Sequence, residues 1–287
     1  MKNSIRVAMI APPWLTIPPQ GYGGIENVIF ALVPELLKLG VKVELFTTGD
    51  SKLRSTKKHW LYPEGQYAHI HEPYYDSSSI PIAHVLFALN KIKADGQFDI
   101  IHDHNNFIGP TALSRNDKEL PPAIHTLHNP QFIEYKDRRA ATANSQMMWK
   151  ELAKSKKLHL VGVSEAVTKS APRALKSILL PYVHNAVNYD SYPFVTKKSD
   201  YFMTLARFHP EKGQALAVNV CLRLGYRLKM AGMVNNLSDP KKVLLELANP
   251  LSTYRSLIDF RYYSDYIFPH LSRGKIESVG EVKGKQK

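Results

Sequence analysis

The run Val7-Ala8-Met9-Ile10-Ala11 is apolar throughout and stops at Pro12-Pro13. After a loop to Gly24, apolar residues recur at 25, 28, 29, 32, 33, 36, 37 and 39, a helical spacing closed by Gly40. A buried strand, a glycine-bearing loop and an amphipathic helix in that order open a βαβ unit. Val41 to Thr47 supplies the next strand. The alternation then continues. Ile80 to Lys93 reads as a helix, Phe98 to Ile101 as a strand, Phe107 to Ser114 as a short helix and Ala123 to Leu127 as a strand. Ala140 to Lys154 is helical, Leu158 to Val163 a strand, Glu165 to Lys176 a helix and Ile178 to Val183 a strand. Such an order predicts a parallel sheet with helices on both faces.

The pattern restarts after a polar, turn-like stretch from Asn185 to Asp190. Tyr201 to Ala206 is a strand, Gln214 to Leu224 a helix and Arg227 to Ala231 a strand. Lys241 to Leu247 and Tyr254 to Leu271 have helical period, and Ile276 to Val279 is a last short strand. The reading is α/β: residues 1–190 form one doubly wound domain and residues 191–287 part of a second. At about 30 residues per βαβ unit, the second stretch holds about three units, so it is expected to be incomplete.

Composition narrows the classes. With 287 residues and 44% hydrophobic side chains the chain can bury a sizeable core. One cysteine, Cys221, excludes an internal disulfide framework. No run approaches the roughly 18 apolar residues of a membrane span, and the N-terminal apolar run is too short for a secretory leader. A reducing cytoplasm is the expected setting. The formal charge is +13, with +5 in residues 1–190 and +8 in residues 191–287. A basic surface attracts polyanions such as nucleoside diphosphates or anionic lipid headgroups, so peripheral contact at the inner membrane face is one partner it admits. No basic block is interleaved with aromatics, so nucleic acid is not expected.

Three constellations carry chemistry. Pro18-Pro19-Gln20-Gly21-Tyr22-Gly23-Gly24-Ile25-Glu26 joins the first strand to the first helix, at the carboxyl edge where open α/β sheets bind ligands. Gly23 and Gly24 allow close backbone approach, and the helix N-terminus favours an anion. The pattern is neither Gly-x-Gly-x-x-Gly nor a Walker loop, and a tight packing turn is the plain alternative; Glu26 alone suits the helix dipole. Arg207-Phe208-His209-Pro210-Glu211-Lys212-Gly213 follows the first strand of the second region. Arg207 and Lys212, five residues apart on a loop entering a helix, suit a diphosphate: arginine forks two oxygens and lysine adds a mobile charge. Two solvated surface cations are the alternative. Last, Asp99-Ile100-Ile101-His102-Asp103-His104 and Ala123-Ile124-His125-Thr126-Leu127-His128 place imidazoles at two strand ends. They admit a metal site, but hydrogen-bonded loop positioning is the favoured reading for His102, His104 and His125.

In order along the chain, Met9-Ile10-Ala11-Pro12-Pro13, Gly23-Gly24-Ile25-Glu26, Asp99 to His104, Thr126-Leu127-His128, Gly162-Val163-Ser164, Val183 to Asn188, Ala206 to Gly213, Leu228 to Gly232 and Ser278-Val279-Gly280-Glu281-Val282 together resemble family-four glycosyltransferases of the GT-B fold. The resemblance implies two Rossmann-like domains and transfer of a sugar, with retention, from a nucleotide-sugar donor to a sugar, lipid or small-molecule acceptor. It implies neither a cofactor nor a catalytic metal. Arg207 and Lys212 match the pair that binds the donor diphosphate and stabilises its departure. Gly23 and Gly24 match the loop approaching the donor phosphates, His128 the histidine near the transferred sugar, and Gly23, Glu26 and His104 fall on the acceptor side. Asn185 sits at an altered turn, Asn-Ala-Val-Asn, and receives no role. The family pattern continues to a Glu-x7-Glu segment that is not found before Lys287, which implies impaired turnover. A non-catalytic acceptor- or membrane-binding remnant, and a metal-dependent hydrolase built on the histidines, are the alternative readings.

Overall fold

The computed structural model describes residues 4–70, 77–115, 119–129, 132, 143–187, 194–271 and 274–282. The chain divides into two compact units, Met1–Pro19 with Gly23–Ser191, and Gln20–Tyr22 with Tyr192–Lys287.

The first unit is a seven-stranded sheet in the order β3-β2-β1-β4-β5-β6-β7, parallel at every pairing. Its strands are β1 (Arg6–Ile10), β2 (Lys42–Phe46), β3 (Lys57–His59), β4 (Ile100–Asp103), β5 (Ala123–Leu127), β6 (Leu158–Gly162) and β7 (Leu179–Leu180). The helices are α1 (Gly24–Lys38), α2 (Ser79–Asp95), α3 (Ile108–Arg115), α4 (Ala143–Leu152) and α5 (Glu165–Lys169). Side chains alternate across a strand, and β1 shows the result. Ala8 and Ile10 join a core with Val85, Leu89 and Ile101 on one face. Met9 and Ala11 join Ile29, Val33 and Leu45 on the other. An apolar run with no polar face is what a central parallel strand covered on both sides requires.

Several boundaries differ from the sequence reading. The helix expected over 165–176 stops at Lys169 and resumes only as a 3-10 turn, Arg173–Leu175, because Pro172 excludes helical geometry from the residue before it. The strand expected to Val183 pairs only over Leu179–Leu180. Strand β3 was not expected from its polar sequence. It is held by the His59 ring, which stacks on Phe46 at 4.6 Å between centroids and bonds Glu44 Oε2 through Nε2 at 2.7 Å. Residues 140–142 of the predicted fourth helix lie outside the described residues.

The second unit contains a three-stranded parallel sheet, β10-β9-β8, from β8 (Tyr201–Leu205), β9 (Arg227–Ala231) and β10 (Ile276–Gly280). Its helices are α6 (Gln214–Leu224), α7 (Pro240–Ala248), α8 (Ile258–Tyr266) and α9 (Phe268–Leu271). The single helix expected over 254–271 is divided into a 3-10 turn, Thr253–Ser256, then α8 and α9. Ser252 caps the turn, and Pro269 prevents α8 from running on. One core of Phe208, Val218, Cys221, Leu228, Met230, Phe260 and Tyr263 binds α6 and α8 to the sheet. Cys221 is 5% exposed within it. Strand β8 lies at a sheet edge, with Tyr201, Phe202, Met203 and Leu205 exposed. Among the described residues, no helix is long and apolar enough to cross a membrane.

Candidate active site

In the first unit the carboxyl ends of β1, β4 and β5 converge. The backbone N–H of His104 donates to Ile10 O at 3.0 Å, and Asn105 Nδ2 donates to the same carbonyl at 3.1 Å. From α2, His84 Nε2 donates to Ala11 O at 2.9 Å. Asp103, fully buried, accepts from His125 Nδ1 at 2.6 Å through Oδ2 and from Asn105 Nδ2 at 2.9 Å through Oδ1. Gly109 makes room for it, since a Cβ there would lie 1.9 Å from Asp103 Oδ2. A buried carboxylate this well bonded is a scaffold for the loop around it.

Two residues expected at the site meet directly. His104 Nδ1 and His128 Nε2 are 2.8 Å apart, and His102, bonded to Thr126 Oγ1 at 2.8 Å, packs its ring 4.3 Å from that of His104. His104 is fully buried, whereas His128 is part-exposed. His104 therefore backs His128 and orients it. Burial lowers the pKa of His84, His102 and His128 to about 4, and that of His104 well below the usual imidazole value. All four are neutral near pH 7. His102, His104 and His125 are each hydrogen-bonded, to Thr126, His128 and Asp103 respectively. Among the described residues no group of three or more His, Cys, Asp or Glu is arranged to hold a metal ion.

At the start of α1, Gly23 and Gly24 behave differently. A Cβ on Gly23 would lie 2.6 Å from the Pro19 ring, so this glycine is required by packing, whereas a Cβ on Gly24 would meet nothing within 4 Å. Gly24 is thus free of any packing demand at the mouth of the helix. Glu26, 4% exposed, has its carboxyl pushed up to about 7 by desolvation, partly opposed by its own backbone N–H. It is more deeply buried than a simple helix-dipole partner.

In the second unit the Arg207–Gly213 loop leaves the carboxyl end of β8. Its start is tied to the next strand by Ala206 N to Ala231 O at 3.0 Å and Phe208 N to Met233 O at 2.8 Å. Gly232 permits this approach, because a Cβ there would sit 1.9 Å from Ala206 O. His209 Nδ1 accepts from Glu211 N at 3.2 Å and caps the 3-10 turn Pro210–Lys212. Gly213 turns the chain into α6 with φ 72°. Buried Gln214 then reaches back, its Nε2 donating to Arg207 O at 2.9 Å. Lys212 is exposed and, among the described residues, has no ion pair. Arg207 is only 26% exposed and pairs through Nη1 with Asp259 Oδ2 from α8. Burial would lower the Arg207 pKa, but Asp259 and Tyr22 outweigh it and hold it raised. Sequence reasoning missed Asp259. It lies 52 residues from Arg207, inside a helix read only for its period, and no local pattern marks it.

Over the whole chain, 98% is covered by AviGT4, a glycosyltransferase involved in avilamycin A biosynthesis, at 20% identity and TM-score 0.55, and 65% of that chain is spanned. The sucrose-phosphate synthase of Thermosynechococcus elongatus matches 97% of this chain and 71% of its own at 15% identity, TM-score 0.66. Anabaena HepE, solved with UDP-glucose, matches 96% and 69% at 11% identity, TM-score 0.55. At these identities the likeness shows a shared fold: α/β of the GT-B type, with a large and a small parallel sheet. No curated protein sequence matches the chain. The profile of Glycosyltransferase Family 4 matches residues 22–190, the span from the glycine loop through both histidine-bearing strand ends, and on that match the chain belongs to Glycosyltransferase Family 4.

Proposed function

We propose that the protein transfers a sugar, with retention of anomeric configuration, from a nucleotide-sugar donor to a sugar, lipid or small-molecule acceptor. The observation that supports this reading best is the Arg207–Lys212 loop, which sets an ion-paired arginine and an exposed lysine at a strand's carboxyl end in a chain of this family. In the reaction the bond between the anomeric carbon and the diphosphate oxygen breaks, a bond from that carbon to the acceptor oxygen forms on the same face, the acceptor's proton passes to the leaving diphosphate, and negative charge develops on that diphosphate as it departs. Preorganised cations act most strongly where charge develops. Arg207 binds the diphosphate as a fork, and Lys212, on its exposed turn, adds a mobile charge. The open backbone at Gly24, next to the packing-required Gly23, lets donor phosphates approach the start of α1. His128, neutral and backed by His104, orients the transferred sugar by hydrogen bonding. Glu26 lies on the acceptor side of the glycine loop. HepE was solved with UDP-glucose, which makes a uridine donor the first to try.

The experiment is UDP binding by calorimetry, with release of nucleoside diphosphate from a panel of sugar nucleotides in the presence of chelator. Arg207→Ala and Lys212→Ala should each weaken UDP binding by about tenfold or more, the scale of a hydrogen bond to a charged group. If both variants bind a nucleoside diphosphate as tightly as the parent, the diphosphate assignment is wrong.

A further inference from the structure

Asp259 stands in the first turn of α8, and its side chain is 2% exposed. A carboxylate taken out of water carries a large desolvation penalty, and a buried ion pair is weak support for stability. This carboxylate instead meets groups from a single loop. Its Oδ2 takes Arg207 Nη1, and its Oδ1, which has no hydrogen-bond partner, faces His209 Nε2 at 3.7 Å. The helix that carries it is fastened once more to the same loop and once to the helix that follows the loop. Tyr263 packs edge-on against Phe208 with centroids 4.9 Å apart, and Tyr262 Oη accepts from Ala215 N at 2.7 Å, at the start of α6. Carboxylate, loop and helix N-terminus thus form one packed body.

We propose that Asp259 is a positioning residue for the donor site, fixing the Arg207 guanidinium by one edge so that its remaining donors are held for a phosphate. This rests on the reading of Arg207 as a diphosphate ligand. A guanidinium has five N–H donors in a rigid plane; the carboxylate takes Nη1 and the Tyr22 side chain is a second hydrogen-bond partner, and the donors left over face an incoming anion. An arginine on an exposed loop would lose side-chain freedom on meeting an anion, whereas one already held by a buried acid has lost it beforehand. The carboxylate also subtracts one charge from the site. Positioning and charge therefore predict opposite results when Asp259 is neutralised: loss of orientation weakens anion binding, and loss of a competing negative charge strengthens it.

The test uses the full 287-residue chain. UDP is titrated into the parent, Asp259→Asn, Arg207→Ala and the double variant, and the Arg207 side-chain nitrogen resonances are followed in 15N-labelled parent and Asp259→Asn. We expect Asp259→Asn to bind UDP about tenfold more weakly, and the same substitution to change binding less than twofold once Arg207 is alanine. Asp259→Glu, which keeps the charge, should recover part of the loss. The guanidinium should rotate slowly in the parent and freely in Asp259→Asn. Unchanged or tighter UDP binding by Asp259→Asn overturns the proposal, as does an equal loss in the Arg207→Ala background, which is the mark of a merely structural acid. A freely rotating Arg207 in the parent overturns it without any variant. A held guanidinium that Asp259→Asn releases, in a parent that takes up no UDP, supports the positioning role and refutes the donor reading.

Discussion

Glu26 titrates where few carboxylates do, and Glu26→Gln isolates the consequence. Burial pushes its carboxyl up from 4.5 to about 7, so the fold favours the protonated form. The stability this supplies is fully present at low pH and is lost as pH rises through the window from 4.5 to 7. With those two values, the linkage relation gives about 2.5 kcal/mol at pH 5 and almost nothing at pH 8. Glutamine has no proton to lose, so whatever constant effect the substitution has, its stability relative to the parent should rise by about 2.5 kcal/mol from pH 5 to pH 8. For a unit of this size, that is a gain of about 5–10 °C in melting temperature relative to the parent. Thermal melts of both proteins at pH 5, 6, 7 and 8 read it directly, because the buried histidines contribute equally to both and cancel. A difference that stays flat within about 2 °C, or one that falls as pH rises, would show that Glu26 is ionised in the fold and refute the reasoning.

The histidines predict the opposite slope. His84, His102 and His128 keep pKa values of about 4 against an ordinary 6.5, so stability present above pH 6.5 is lost as pH falls toward 4, by about 2 kcal/mol per imidazole at pH 5; urea denaturation of Glu26→Gln across that range should show the loss unmasked. Gly109→Ala should lower the melting temperature by the equivalent of about 1–3 kcal/mol, since its Cβ meets the Asp103 carboxylate, and melting unchanged from the parent would contradict the scaffold role of Asp103. On the proposed donor reading, Gly24→Ala should melt like the parent, since its Cβ meets nothing within 4 Å, yet bind UDP about tenfold more weakly by narrowing the approach to the start of α1; UDP calorimetry beside a melt separates this from Gly23→Ala, which should lose stability first.

Much of the fold was legible because it is local. The uninterrupted apolar run at β1 announces a central strand, and the helical spacing from Ile25 announces the helix behind it. The cation loop and the histidine-bearing strand ends were legible as well, since chemistry at a strand's carboxyl edge follows from the parallel arrangement itself. What could not be read was fixed by distant partners. Strand β3 depends on His59 meeting Phe46 and Glu44. The depth of Glu26 depends on what packs over it, and the contrast between Gly23 and Gly24 depends on Pro19. Asp259 carries no local mark, because an acid at the start of a helix looks like an ordinary dipole partner until the fold presents Arg207 to it.

Cys221 gives the second unit a built-in gauge. It is the chain's single thiol, it lies on α6 in the core that also holds Phe208 and Phe260, and burial raises its pKa. A thiol reagent reaches it only when α6 lifts from the sheet, so the modification rate reports how often that opening occurs. Because α6 follows directly from the Arg207–Gly213 loop, a nucleotide bound at that loop should slow the reaction in proportion to its occupancy. Ligand engagement becomes measurable by colour change on the unaltered protein, with no label and no turnover needed.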